Sequence, residues 1–150
     1  MIDDLDRRII AELAGDARIK STALSQKLGV SDTTIRHRIT RLEKQGVISP
    51  TITVNASKLG FSIIALIALQ VDLGSIDFVA GELSRHPNVG YVAECTGLHD
   101  MFVGVWLHSP NELTQFVKEI LSKLSGIRKS ETYMILKVHK SDVGWLQSLK

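Results

Sequence analysis

One cysteine in 150 residues, Cys95, leaves no partner for an internal disulfide, and a reducing, intracellular setting is expected. Long apolar runs are missing too. The longest, Leu59–Val71, reaches about 13 residues where a bilayer span needs roughly 20, so no membrane partner is expected. The opening Met-Ile-Asp-Asp-Leu-Asp is acidic, where a secretory leader would be basic and then apolar. A soluble, cytoplasmic protein is the expectation. Repeats and low-complexity tracts are absent. The five histidines (His37, His86, His99, His108 and His139) show no paired metal spacing. Neither a phosphate-cradling glycine loop nor a Ser/His/Asp set in credible context occurs. No enzyme, metal site or resident cofactor is expected. Cys95 alternates with Ala93 and Gly97 along a strand, so it reads as a buried structural thiol, not as a reactive partner of His99 and Asp100.

What is present suffices for a real core, since 44% of the residues are hydrophobic. The formal charge of +2 divides unevenly. Residues 1–60 hold ten Lys/Arg against seven Asp/Glu, and residues 61–150 hold eight against nine. Within Thr33–Lys44, Arg36, Arg38, Arg41 and Lys44 face only Glu43. So local an excess is the electrostatic footprint of a helix that meets phosphates.

The first third reads as three helices. Asp3–Ala14 carries Leu5, Ile9, Ile10 and Leu13 as a helical stripe, Thr22–Leu28 ends at Gly29, and a helix capped by Ser31 or Asp32 runs to Gln45 and stops at Gly46. A β-rich stretch, Ser49–Val54, and a hinge, Asn55–Gly60, follow. Beyond them the order is strand Ser62–Asp72, helix Ser75–His86, strands Asn88–Thr96 and Asp100–His108, a helix from the Ser109-Pro110-Asn111-Glu112 capping box to Leu124, strand Arg128–Val138, and a terminal helix Ser141–Leu149. The fold class is therefore α+β: a three-helix, winged helix-turn-helix joined to a ferredoxin-like βαββαβ domain. The expected boundaries are 1–50 for the first domain, 51–61 for the strand and hinge, and 62–150 for the second.

Leu24–Ile35 meets the requirements of a helix-turn-helix. Ser25 is small where helices cross, Gly29 supplies the turn, and Val30 and Ile35 plug the angle. At roughly 100° per residue, Ile35, Ile39 and Leu42 share the buried side of the third helix. The opposite arc presents Thr33, Thr34, His37, Thr40, Arg41 and Lys44, with Arg36 and Arg38 at its edges. Such a face fits a major groove. Thr33, Thr34, Arg36 and His37 are expected at base edges, and Arg38, Arg41 and Lys44 at phosphates. Ser31, a cap candidate of this helix, is expected at the DNA as well, and Ser21 and Thr22 open the second helix, where free N–H groups suit a phosphate. The bland alternative is a solvated face, with Arg38 bridging to Glu12, Asp16 or Glu43.

Residues 1–60 resemble the N-terminal domain of the leucine-responsive/asparagine (Lrp/AsnC, feast/famine) regulators. The resemblance is carried by Leu5-Asp6-Arg7-Arg8-Ile9-Ile10, Asp16-Ala17-Arg18, Val30-Ser31, Thr34-Ile35-Arg36-His37-Arg38-Ile39, Arg41-Leu42-Glu43 and Gly46-Val47-Ile48. It continues through the second half. Ser25, where alanine is usual, and Pro50 depart from the pattern. The resemblance implies a sequence-specific, DNA-binding transcription regulator modulated by an amino acid, and a dimer that assembles further into tetramers or octamers.

Alternation in the second domain supports part of this. In the first strand Ile63, Ala65, Ile67, Leu69 and Val71 oppose Ile64, Leu66 and Ala68. In the third, Met101, Val103, Val105 and Leu107 oppose Phe102 and Trp106. Helices cover one sheet face only, so a second copy is expected on the other, giving a homodimer on a roughly palindromic double-stranded operator. The loop Thr96-Gly97-Leu98-His99-Asp100 is the ligand candidate, because glycine allows close approach and Asp100 accepts from an ammonium. Its Gly-x-x-Asp pattern resembles the family's effector turn, whose sites lie between dimers. Thr132-Tyr133-Met134 is the facing segment. Alternatively, Asp100 serves only its own turn. Two other readings remain: a metabolite-binding module that contacts protein and not DNA, and an RNA binder, which would need exposed aromatics on two central strands.

Overall fold

The computed structural model describes residues 2–141; the terminal helix expected over Ser141–Leu149 lies outside them, apart from its first residue. The chain divides between Thr53 and Val54 into two compact units, the second running to Val138. None of the described helices is long and apolar enough to cross a membrane.

The first unit holds helices α1 (Asp4–Gly15), α2 (Ser21–Leu28) and α3 (Asp32–Lys44). Asp3 and Asp6 open α1 with a reciprocal capping box, each carboxylate accepting the other's backbone N–H at 3.0 Å. Gly29 ends α2 at φ +72°, in the left-handed region that a side chain resists, and redirects the chain into α3. Ser31 caps α3, its Oγ accepting the Thr34 N–H at 3.1 Å. Ile9, Leu24, Ile35 and Leu42 are fully enclosed, with Val30 and Ile39 packed beside them. Burial of each such side chain contributes about 1.5–3 kcal/mol, which is how the apolar register fixes the angle between α2 and α3.

The strand expected over Ser49–Val54 does not form, so among the described residues the three helices carry no paired wing. A strand needs a hydrogen-bonding neighbour. Pro50 has no N–H to give, no described segment pairs with this one, and Ile52 stands 82% exposed. The hinge residues Ala56–Leu59 instead wind into a 3-10 turn capped by Asn55 and closed by Gly60.

The second unit runs β1 (Ile63–Val71), α4 (Ile76–Ser84), β2 (Val89–Glu94), β3 (Met101–Leu107), α5 (Pro110–Gln115) and β4 (Ile127–Met134). The strands form one antiparallel sheet in the order β2-β3-β1-β4, the ferredoxin-like arrangement. Alternation decides the layers. Ala65, Ile67, Leu69 and Val71 of β1 and Met101, Val103, Val105 and Leu107 of β3 pack against Val79 and Leu83 of α4 and against Phe116 and Leu121. Ser109 caps α5 and Pro110 occupies its first turn. After six residues the winding changes: Phe116–Ile120 form a π turn and Leu121–Lys123 a 3-10 turn, where a plain α-helix to Leu124 is expected from the sequence.

Candidate nucleic-acid interface and ligand loop

The outward arc of α3 presents Thr33, Arg36, His37, Thr40 and Lys44 to solvent. Thr34 is half-buried, and its hydroxyl lies 2.8 Å from Ser31 Oγ, so the cap also orients it. Arg36 donates to Asp32 Oδ2 at 2.7 Å, one turn back on the same helix. Arg36 is exposed and Asp32 half-buried, and an ion pair with so open a guanidinium adds little on its own. At the start of α2 the cap residue Lys20 offers no side-chain acceptor, leaving first-turn N–H groups beside half-buried Ser21 and exposed Thr22.

Arg38 and Arg41 are differently placed. Both sit on the flank of α3 that meets α1, where Asp6 is completely enclosed. Arg38 Nη1 donates to Asp6 Oδ1 at 3.1 Å and also to Asp3, while Arg41 Nη2 donates to Asp6 Oδ2. Arg38, expected at a phosphate, is bridged within the first unit as the alternative had it, though to this acidic pair of the α1 capping box and not to Glu12, Asp16 or Glu43. The Arg38 guanidinium holds the Asp3 carboxyl well below its usual range, at about 2. Asp6 is the residue that the sequence reading missed. The signal lay in two aspartates three apart ahead of an apolar stripe, matched by two arginines three apart on another helix.

In the second unit the loop between β2 and β3 is laced to β1. Asp100 donates its N–H to Leu69 O at 2.9 Å, Asp100 Oδ2 accepts the Val71 N–H at 2.8 Å, and Gln70 Nε2 donates to Leu98 O at 3.0 Å. Arg128 Nη2 stands 3.5 Å from the same Asp100 oxygen. The Asp100 side chain thus bonds across to β1 and β4, while its carbonyl closes its own turn by accepting the Cys95 N–H at 3.0 Å. Thr96, Gly97 and Leu98 are exposed, Leu98 by 77%. Cys95 lies just past β2 and is only half-buried, so the expectation of a buried thiol fails. Its Sγ donates to His99 O at 3.1 Å, filling a gap in the loop and not in the core.

His99 turns toward β4. Its Nε2 is enclosed, without a hydrogen-bond partner, 3.4 Å from Glu131 Oε2. Glu131 accepts from Lys129 Nζ at 2.6 Å and from the Tyr133 hydroxyl at 2.7 Å, and these hold its carboxyl down at about 2. Glu131 in turn raises the Tyr133 phenol and the Lys129 ammonium above their ordinary values. Register divides the expected facing segment. Tyr133 pairs with Leu66 and shares the open sheet face with Glu131, whereas Thr132 and Met134 pair with Ile67 and Ala65 and point to the helix side. Among the described residues, a cavity of about 210 Å³ is lined by His86, Asn88, Leu107, Glu112, Phe116 and neighbours, and no residue of the 96–100 loop takes part.

The open face carries Ile64, Leu66, Phe102, Trp106, Tyr91 and Tyr133. Trp106 lies over Gly90 and Gly104; a Cβ on Gly90 would stand 2.8 Å from the indole. The two missing side chains make the shelf on which the ring rests.

Residues 2–49 match the family model described as winged helix-turn-helix DNA-binding, and residues 64–145 match the Lrp/AsnC ligand-binding domain. Over 141 residues the chain is 35% identical to the HTH-type transcriptional regulator FL11 of Pyrococcus furiosus, spanning 93% of each protein. It superposes on E. coli AsnC with a TM-score of 0.84 and 25% identity, over 94% of this chain and 96% of that one. A transcriptional regulator of Neisseria meningitidis, solved as a complex with L-methionine, has the same fold: TM-score 0.85 and 19% identity, over 96% of each chain.

Proposed function

Because the chain belongs to the Lrp/AsnC family of helix-turn-helix transcriptional regulators, we propose that it reads a two-fold operator as a homodimer and that an amino acid bound at the Thr96–Asp100 loop modulates that binding. The DNA-binding part is residues 1–50, the linker 51–61, and the effector and dimer part 62–150. The observation that carries the DNA reading is the solvent-facing arc of α3, with Thr33, Arg36, His37, Thr40 and Lys44 and no carboxylate aimed outward between them except Glu43 at the edge. Thr33, Thr34, Arg36 and His37 reach base edges near the helix start; Lys44, with Ser21 and Thr22 at α2, holds phosphates.

The open apolar sheet face supports the dimer, since a patch holding two tyrosines and a tryptophan is poorly left in water. Two sheets face to face place two recognition helices under one two-fold axis. The exposed loop, with no enclosed pocket of its own, favours an effector site completed by another copy in a tetramer or octamer. The methionine complex of the Neisseria regulator supports an amino acid as the ligand class.

The test is fluorescence anisotropy on duplex from the gene's own upstream region, titrated with salt, with and without the twenty amino acids. Binding that weakens by about 0.9 log units per log unit of salt for each neutralised phosphate supports the regulator, and a shift on adding the mixture supports the effector. Flat anisotropy on this and on random duplexes would favour the module that contacts protein partners without DNA.

A further inference from the structure

Asp6 is the one charged residue that the first unit encloses completely among the described residues. Both of its oxygens are spoken for: Oδ1 by Arg38, Oδ2 by Arg41 and by the Asp3 N–H at 3.0 Å. Arg38 and Arg41 are three residues apart, on one flank of the recognition helix. A single fixed carboxylate that grips two points on one flank sets the rotation of that helix about its own axis. It also settles where the two charges go. Leaving an enclosed carboxylate uncompensated costs more than a solvent-exposed phosphate contact returns, so the guanidiniums stay with Asp6. Arg36 differs, because it stands open to solvent and its partner, half-buried Asp32, lies on its own helix.

We infer that Asp6 is a positioning residue for DNA recognition, holding Arg38 and Arg41 to aim α3 and withholding both from the phosphates. The inference rests on the DNA-binding reading above and departs from charge counting along α3, which makes every arginine a phosphate ligand. Aim and phosphate contact have different signatures. A lost phosphate contact weakens all duplexes alike and flattens the salt dependence; a lost aim narrows the gap between the right duplex and the wrong one.

The experiment compares wild type with Arg38→Met, Arg41→Met and Asp6→Asn on the gene's upstream duplex and on a random duplex across a salt series. Arg38→Met and Arg41→Met are expected to keep the wild-type salt slope while the preference for the upstream duplex falls about tenfold or more. Arg41→Lys, which keeps a cation against Asp6, restores most of that preference. Asp6→Asn, which frees Arg41 and leaves Arg38 on Asp3, steepens the slope on random duplex by about 0.9 for the one guanidinium released. If Asp6→Asn does not fold, the arginine variants decide alone. A slope flattened by about 0.9 in each methionine variant makes the arginines phosphate clamps and overturns the inference. Unchanged slope together with unchanged preference overturns it as well. Wild type that binds neither duplex would instead bring down the DNA-binding reading itself.

Discussion

Asp100 Oδ2 accepts the backbone N–H of Val71 at 2.8 Å, tying the residue ahead of β3 to the last residue of β1. Val71 is fully enclosed, so Asp100→Ala leaves its N–H without an acceptor, at a cost of about 1–3 kcal/mol in urea denaturation. Asp100→Asn keeps an acceptor there and should retain most of that stability while removing the charge. If Asp100 also receives an effector's ammonium, both variants lose the amino-acid response of DNA binding. A normal response in the asparagine variant would reduce Asp100 to a brace for the loop.

Gly90→Ala tests the open sheet face. The added methyl meets the Trp106 ring at 2.8 Å and must displace it, which roughens the surface proposed to bury a second copy. Dimer dissociation measured by analytical ultracentrifugation should become about tenfold easier or more, roughly 1.4 kcal/mol. An unchanged dimer would put the contact elsewhere on the chain.

Glu131 makes the second unit sensitive to acid. Its carboxyl titrates at about 2 in the folded chain because Lys129 and Tyr133 hold it ionised, against 4.5 ordinarily. A depressed folded value means stability that is fully present above the ordinary value and is lost as pH falls toward the folded one. Urea midpoints of wild type should therefore drop more than those of Glu131→Gln between about pH 5.5 and about pH 3. Parallel curves would mean that the cluster does not couple to folding.

Ser31→Ala removes the side-chain acceptor that caps α3. The expected loss is about 1 kcal/mol, within a range of roughly 0.5–2, seen as a lower midpoint in thermal denaturation. Weaker operator binding should accompany it, because the Thr34 hydroxyl loses its partner. Ser31→Asp restores the cap, so recovery of stability there separates capping from any direct contact that serine makes with DNA.

Local rules made most of the fold legible. Ile35, Ile39 and Leu42 announced the buried side of α3, and strict alternation along β1 and β3 announced both the helix-covered face and the open one. What depended on distant partners did not show. Ser49–Val54 has the residues of a strand, but pairing is a property of two segments, and the described residues supply no second. Arg38 and Arg41 read as phosphate ligands because their own helix offers few carboxylates; the anion that engages them comes from α1, more than thirty residues away. Tyr133 was within reach of a reading by motif, whereas Glu131 beneath it became visible only once register put both on one face with His99 above them.

The π turn at Phe116–Ile120 has a consequence for how this chain tolerates changes of length. Five α-helical steps carry a side chain about 140° past its starting direction, so Phe116 and Leu121 could not both look at the sheet from an unbroken α-helix. In the π turn the Leu121 N–H closes on Phe116 O, five residues back, and both side chains are buried. The turn absorbs one residue of phase. Removing Lys118, which is exposed, would let the segment relax to ordinary α winding, with Phe116 and the old Leu121 then four positions apart and still aligned. An insertion at the same place would have nothing left to absorb it and would swing Leu121 off the core.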